Sequence, residues 1–195
     1  RLTSTDRPLA AIERRLAAVG ARFETMAEPA LLDATTDALV DENAVGWFQG
    51  RMEFGPRALG GRSILGDARS PALQKTLNLR VQYRESFRPF APSVLRERVA
   101  TYFEQDVYSP FMMHVVKLKP EWRERLPAIT HVDGTGRLQS VDEASNPLYH
   151  KLISAFERRT GIGMVLNTSF NENEPVVDTP EQALACFART EMDAL

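Results

Sequence analysis

The chain has 195 residues, of which 43% are hydrophobic and 26% charged, and a net charge of −2. That balance fits one globular domain large enough for a real core, and it excludes a global field that would draw nucleic acid or a membrane surface. No run of about 18 apolar residues exists, so no membrane span is predicted. The single cysteine, Cys186, excludes an intrachain disulfide framework and a cysteine-built metal site.

Locally the charge is uneven. Twenty of the 24 basic residues are arginines, and between Arg51 and Arg98 ten basic residues stand against four acidic ones. GC-rich coding can produce an excess of arginine over lysine, but it does not explain the clustering. No signal peptide is expected from the opening residues. It begins with Arg1 and stops at Asp193-Ala194-Leu195, and is expected to be an excised piece of a longer protein.

Residues 7–19 are predicted to form a helix, capped by Asp6, with Pro8 in its first turn and Gly20 at its stop. Leu9, Ile12, Leu16 and Val19 give it one apolar stripe. Phe23 to Met26 is a candidate short strand. A second helix is predicted over about 30–42, with Leu31, Leu32, Ala38 and Leu39 inward. This opening part is read as structural.

Ala44 to Phe48 is a short apolar strand. It runs into Gln49-Gly50-Arg51-Met52-Glu53-Phe54-Gly55-Pro56-Arg57-Ala58-Leu59-Gly60-Gly61-Arg62-Ser63. Glycines allow close backbone approach, and arginine forks match carboxylates and phosphates. The stretch reads as a strand-end loop built to hold an anion through Arg51, Arg57 and Arg62. An ordinary glycine-rich surface loop is the competing reading.

Ser63 to Asp67 is extended. Ser70-Pro71 starts a helix to about Leu79. Val81 to Leu95, with two prolines and three aromatics, is a rigid extended segment that can aim Arg84 and Arg88 at one point. Arg96 to Phe103 is helical. Pro110 to Val116 reads as a core strand, its methionines as core filler. Glu121 to Arg125 is a short helix. Thr130 to Val141 is a turn followed by a strand; His131 and Asp133 there are read as structural, not as a dyad or metal site.

Asn146-Pro147 opens a helix to about Thr160, stopped at Gly161. Met164 to Leu166 is a buried strand that exits into Asn167-Thr168-Ser169-Phe170-Asn171, a usual place for site residues in an open α/β sheet. Thr179-Pro180-Glu181-Gln182 is a capping box that starts the last helix. Cys186 lies on that helix and is expected to be a buried, inert thiol. Strands alternate with helices, so the fold class is α/β with a mixed or partly parallel sheet.

Taken together, Gly50 to Gly60, Phe87-Arg88-Pro89-Phe90-Ala91-Pro92-Ser93-Val94, Thr130 to Thr135 and Leu166 to Asn171 resemble the C-terminal half of the O-carbamoyltransferases of nodulation-factor and antibiotic biosynthesis. The resemblance covers nearly everything from Val45 onward. It implies a YrdC-like fold, an open twisted mixed sheet with flanking helices. Residues 44–195 would form that domain and residues 1–43 a helical lead-in within it.

The resemblance also implies an enzyme, a carbamoyltransferase. In such a domain carbamoyl phosphate is cleaved and the carbamate joins the α-phosphate of ATP, giving carbamoyl-adenylate. ATP with its magnesium is the expected cofactor. A separate N-terminal domain, actin-like ATPase in fold and carrying a His-bound iron, passes the carbamoyl group to a hydroxyl. No His-rich motif of that kind occurs here, so that domain is expected to lie outside this sequence. The implied setting is cytoplasmic, with carbamoyl phosphate, ATP and the protein's own N-terminal domain as partners, neither membrane nor nucleic acid, and a homodimer left open.

By resemblance, Arg57 and Arg88 are the leading phosphate and carbamate ligands. Arg137 stands at a further nucleotide position. Asn167 and Ser169 would donate to phosphate oxygens, and the main chain near Met112 would meet the adenine. Gln82 occupies a position where a lysine is common in the family, so the pocket would be one charge poorer and Gln82→Lys would raise anion affinity. Gly61 stands where Asn is common, which is expected to loosen the loop at little cost. The alternatives are a non-catalytic nucleotide- or RNA-binding module and a domain that has lost its chemistry. RNA binding would show steep salt dependence and aromatic stacking platforms.

Overall fold

A computed structural model describes residues 9–195 except Arg84, Ser86 and Phe87. The expected cap at Asp6, Pro8 in the first turn, and the aim of Arg84 lie outside the described residues. Helix α1 (Leu9–Ala18) and helix α2 (Glu28–Val40) lead in. Residues 21–27 between them form no strand, and Phe23 and Met26 are exposed. Leu39 of α2 is buried as expected, whereas Leu31 points outward.

Six strands form one sheet. They are β1 (Val45–Phe48), β2 (Arg62–Gly66), β3 (Ala91–Leu95), β4 (His114–Lys117), β5 (Thr135–Val141) and β6 (Met164–Ser169). Their order across the sheet is β1-β2-β6-β3-β5-β4. Only β3 and β5 pair in parallel; the other neighbours are antiparallel. This is the open mixed sheet with flanking helices that the YrdC-like reading implies. Strands β2 and β3 are buried at every position, as strands covered on both faces must be.

The helices start and stop where their local chemistry dictates. Ser70 accepts from the Leu73 N–H at 3.0 Å to cap α3 (Pro71–Thr76), which runs on into a π turn over Leu77–Val81. Two short helices follow, α4 (Val99–Tyr102) after a 3₁₀ turn and α5 (Pro120–Arg123). Helix α6 (Pro147–Thr160) is capped by Asn146 and closed by Gly161 at φ 75°. Its Tyr149, Leu152, Ile153 and Phe156 are fully buried, at helical spacing on one stripe. Helix α7 (Pro180–Arg189) begins with both bonds of the capping box, Thr179 to Gln182 and back.

Strand β4 departs from expectation. The predicted core strand over Pro110–Val116 extends only from His114, and only Val116 of it is buried. Met112 takes φ 55°, a left-handed conformation that interrupts the extended run. The strand is the outermost of the sheet, so one side lacks a covering partner, and Phe111, Met113 and Val115 are exposed.

Cys186 is fully buried on α7, and burial pushes its thiol up to about 12. The thiolate is the reacting species. Native protein at pH 8 is therefore expected to resist alkylation by iodoacetamide, with stoichiometric labelling after denaturation. Labelling of native protein within minutes would contradict this placement.

Candidate functional site

Strand register brings residues far apart in sequence onto one face of the sheet. Directly paired residues of neighbouring strands, and every second residue along a strand, share a face. Ser93 pairs with Gln139 and with Val165, and Val115 pairs with Arg137. Arg137, Gln139, Ser93, Val165, Asn167 and Ser169 therefore lie on a common face.

Across that face opens a cleft of about 100 Å³. Its wall includes Arg57 and Ala58 from the glycine-rich loop, Phe90 and Ala91 at the start of β3, Met112, Arg137 on β5, and Asn167, Thr168 and Ser169 on β6. Five residues singled out from sequence thus meet here: Arg57, Met112, Arg137, Asn167 and Ser169. Met112 is 5% exposed and holds its φ of 55° at this wall. A non-glycine residue in that region costs about 1–3 kcal/mol, and such outliers gather at functional sites.

Two predicted members stand outside the wall. Arg88 is 58% exposed, with its Nε 3.6 Å from Glu85. Its carbonyl, not its guanidinium, is fastened, accepting from Gln74 Nε2 at 3.0 Å and Asn78 Nδ2 at 2.9 Å. Pro89 and Phe90 carry the chain from Arg88 into the wall. Gln82 turns its Nε2 to the carbonyls of Ser169 at 3.2 Å and Asn171 at 2.9 Å. It fixes the backbone where β6 ends instead of facing the cleft. A lysine ammonium has three donors and can hold the same two carbonyls, which revises the expected gain from Gln82→Lys. In a calorimetric titration with inorganic phosphate, the variant's affinity is expected to differ from wild type by less than about threefold; tightening of tenfold or more would put position 82 in the pocket.

The side-chain donors of Asn167 and Ser169 both meet partners within the protein. Ser169 Oγ donates to Asn171 Oδ1 at 2.7 Å. Asn167 Nδ2 is held by Ala58 O at 3.1 Å, Ser93 Oγ at 2.9 Å and Gln139 Oε1 at 3.0 Å. The hydrogens these side chains were to give a phosphate are already engaged within the protein.

Of the loop arginines, Arg57 is exposed at the cleft while Arg62 is fully buried. Arg62 belongs to β2 and its guanidinium reaches the carbonyls of Gln49 at 2.9 Å, Gly50 at 3.2 Å, Gly61 at 2.8 Å and Asp178 at 3.2 Å. It lies 3.6 Å over the Phe48 ring. It shapes the loop rather than holding a ligand. Burial pulls its pKa below the ordinary arginine value, partly offset by the charges of Glu53 and Asp178.

Glu53 closes the same loop from within, accepting from the Leu59 N–H at 3.1 Å and from the Gly61 N–H. A Cβ on Gly61 would fall 2.7 Å from Glu53 Oε1. Gly61 therefore does not loosen the loop; it makes room for the carboxylate that ties it. Gly60, at φ 101°, packs so closely on Tyr149 that a Cβ would lie 2.3 Å from the ring.

Electrostatically the cleft is set for an anion. Burial lowers the pKa of Arg137, and the positive charge of Arg57 lowers it further. Arg137 Nε is buried with no hydrogen-bond partner among the described residues. Two like charges held together, one with an idle donor, are relieved by a bound negative charge. His131 and Asp133 stay apart from this. Asp133 Oδ1 accepts from the Thr135 N–H at 3.0 Å and Oγ1 at 2.7 Å, and His131 Nδ1 is 3.1 Å from the same hydroxyl. The pair serves its own turn, as read from sequence. Ser93 and Gln139 were missed. The signal was present: a serine inside the apolar run Ala91-Pro92-Ser93-Val94-Leu95, and a glutamine in a strand that turns out buried.

With the fold and the arginine-lined cleft described, comparison with known proteins gives the family. The model of the carbamoyltransferase C-terminus matches residues 36–195, and the chain belongs to that family. It is 44% identical over 189 residues to the nodulation protein NolNO of Sinorhizobium fredii, covering 95% of this chain and 28% of that one. It is 43% identical over 140 residues to the 3'-hydroxymethylcephem-O-carbamoyltransferase of Streptomyces clavuligerus, covering 72% of this chain and 26% of that one. The chain spans roughly a third of the length of such relatives. A crystal structure of full-length HypF in its phosphate- and nucleotide-bound form shares the fold, with a TM-score of 0.54 at 20% identity over 81% of this chain and 19% of that one. Among the described residues no helix is long and apolar enough to cross a membrane.

Proposed function

We propose that this domain binds carbamoyl phosphate and ATP in the cleft and forms carbamoyl-adenylate for transfer to a hydroxyl acceptor. The observation that carries the reading is the pairing of Arg57 with the half-buried Arg137, whose Nε has no partner. Carbamoyl phosphate, carbamate and a triphosphate are all anions, and bringing them together needs fixed positive charge. In the proposed step, water releases phosphate from carbamoyl phosphate, and a carbamate oxygen attacks the α-phosphorus of ATP while pyrophosphate leaves. Charge then builds on the non-bridging oxygens, where guanidinium donors act most strongly.

Family membership and the cephem carbamoyltransferase relative support the transferase class. Among the described residues no group of three or more His, Cys, Asp or Glu could hold a metal ion. A magnesium ion arriving with ATP would take its ligands mainly from phosphate oxygens and water, as this ion commonly does. Met112 and the neighbouring strand end would form the wall beside the nucleotide.

Calorimetry with carbamoyl phosphate and a non-hydrolysable ATP analogue tests the reading. Binding of both, each weakened in Arg137→Ala, is expected. Binding of neither by a folded protein would point to a domain that has lost its chemistry.

A further inference from the structure

Asn167 is 1% exposed and belongs to the cleft wall. The orientation of its amide is fixed by chemistry. Nδ2 lies 3.1 Å from the main-chain oxygen of Ala58, which can only accept, so a nitrogen must face it. The surrounding polar atoms are held in turn. Ser93 Oγ donates to Gln139 Oε1 at 2.6 Å, and Gln139 Nε2 donates to Leu59 O at 2.9 Å. Asn167 Oδ1 has no hydrogen-bond partner among the described residues; the Tyr149 hydroxyl beside Ser93 also lacks one, but it is not an amide acceptor. Buried carbonyl oxygens without a donor are rare and costly, and ask for an explanation.

We propose that Asn167 Oδ1 accepts an N–H from the carbamoyl group and so makes the cleft select carbamoyl phosphate over acyl phosphates of the same shape. The proposal rests on the reading of the cleft given above. Arg57 and Arg137 carry only donors. They attract any small phosphate-bearing anion and cannot distinguish an amino group from a methyl. A lone acceptor can, because the carbamoyl NH₂ offers it a hydrogen and the methyl of acetyl phosphate does not. Nor can the amide turn to suit the methyl compound, since that would set Oδ1 against the oxygens of Ala58 and Gln139. Sites built to hydrogen-bond a substrate group reject the analogue lacking it far better than apolar pockets reject an extra methylene.

The test compares carbamoyl phosphate and acetyl phosphate by calorimetry on the intact protein. Wild type is expected to favour carbamoyl phosphate by at least about tenfold, the worth of one such hydrogen bond. In Asn167→Ala the ratio of the two affinities is expected to fall to near one. A ratio taken within one variant cancels any general loss of affinity. Asn167→Ser serves as a second variant, and should both fail to fold, the wild-type ratio alone decides. Equal affinities in wild type, or an unchanged ratio in Asn167→Ala, would overturn the proposal. Failure of wild type to bind either compound is a different result: it removes the reading of the cleft itself, and this inference with it.

Discussion

Replacing Arg57 or Arg137 by alanine is expected to lower carbamoyl-adenylate formation by about 10²–10³-fold, measured as carbamoyl phosphate-dependent pyrophosphate release. The figure follows from removing one pre-placed donor to a developing charge, about 3–4 kcal/mol. Arg57 is exposed at the cleft, so its loss should leave the melting temperature nearly unchanged. The two losses should not add. Each guanidinium lowers the comfort of the other in the empty cleft, since the charge of Arg57 depresses the pKa of Arg137. Removing one relieves the other, so the double variant is expected to lose less than the product of the single effects. Wild-type pyrophosphate release in folded Arg57→Ala would refute the assignment.

Arg62→Met is the largest expected effect on stability. The substitution keeps a long apolar stem but deprives the carbonyls of Gln49, Gly50, Gly61 and Asp178 of their shared donor in a fully buried place. Breaking such a buried charged network costs about 3–5 kcal/mol. For a domain of this size that is a fall of roughly 10 °C or more in melting temperature. The loop that carries Arg57 should loosen at the same time, because Arg62 holds both its ends. A shift under about 3 °C would show that the carbonyls find other partners.

These two arginines illustrate what was legible in the sequence and what was not. They lie five positions apart in one glycine-rich stretch, and residue type alone gave both the same role. The difference comes from pairing. Arg62 sits in β2 opposite Phe48 of β1, which draws its side chain inward, while Arg57 remains in the loop. Helix ends were legible because their causes are local: Asn146 and Gly161 bound α6, and Thr179 with Gln182 begins α7. The edge position of β4 was not. Its apolar run looks the same whether or not a neighbour covers it, and strand order is set by contacts distant in sequence. Likewise the family motifs pointed to Asn167, yet the directions of its hydrogen bonds depend on Ala58, Ser93 and Gln139, which only the folded chain brings near.

The most direct measurement is a crystal structure of the protein soaked with carbamoyl phosphate and a non-hydrolysable ATP analogue. The account predicts phosphate oxygens within hydrogen-bond reach of both Arg57 and Arg137, over the strand segment Asn167–Ser169. Ligand density on another face, with those two guanidiniums unengaged, would contradict it.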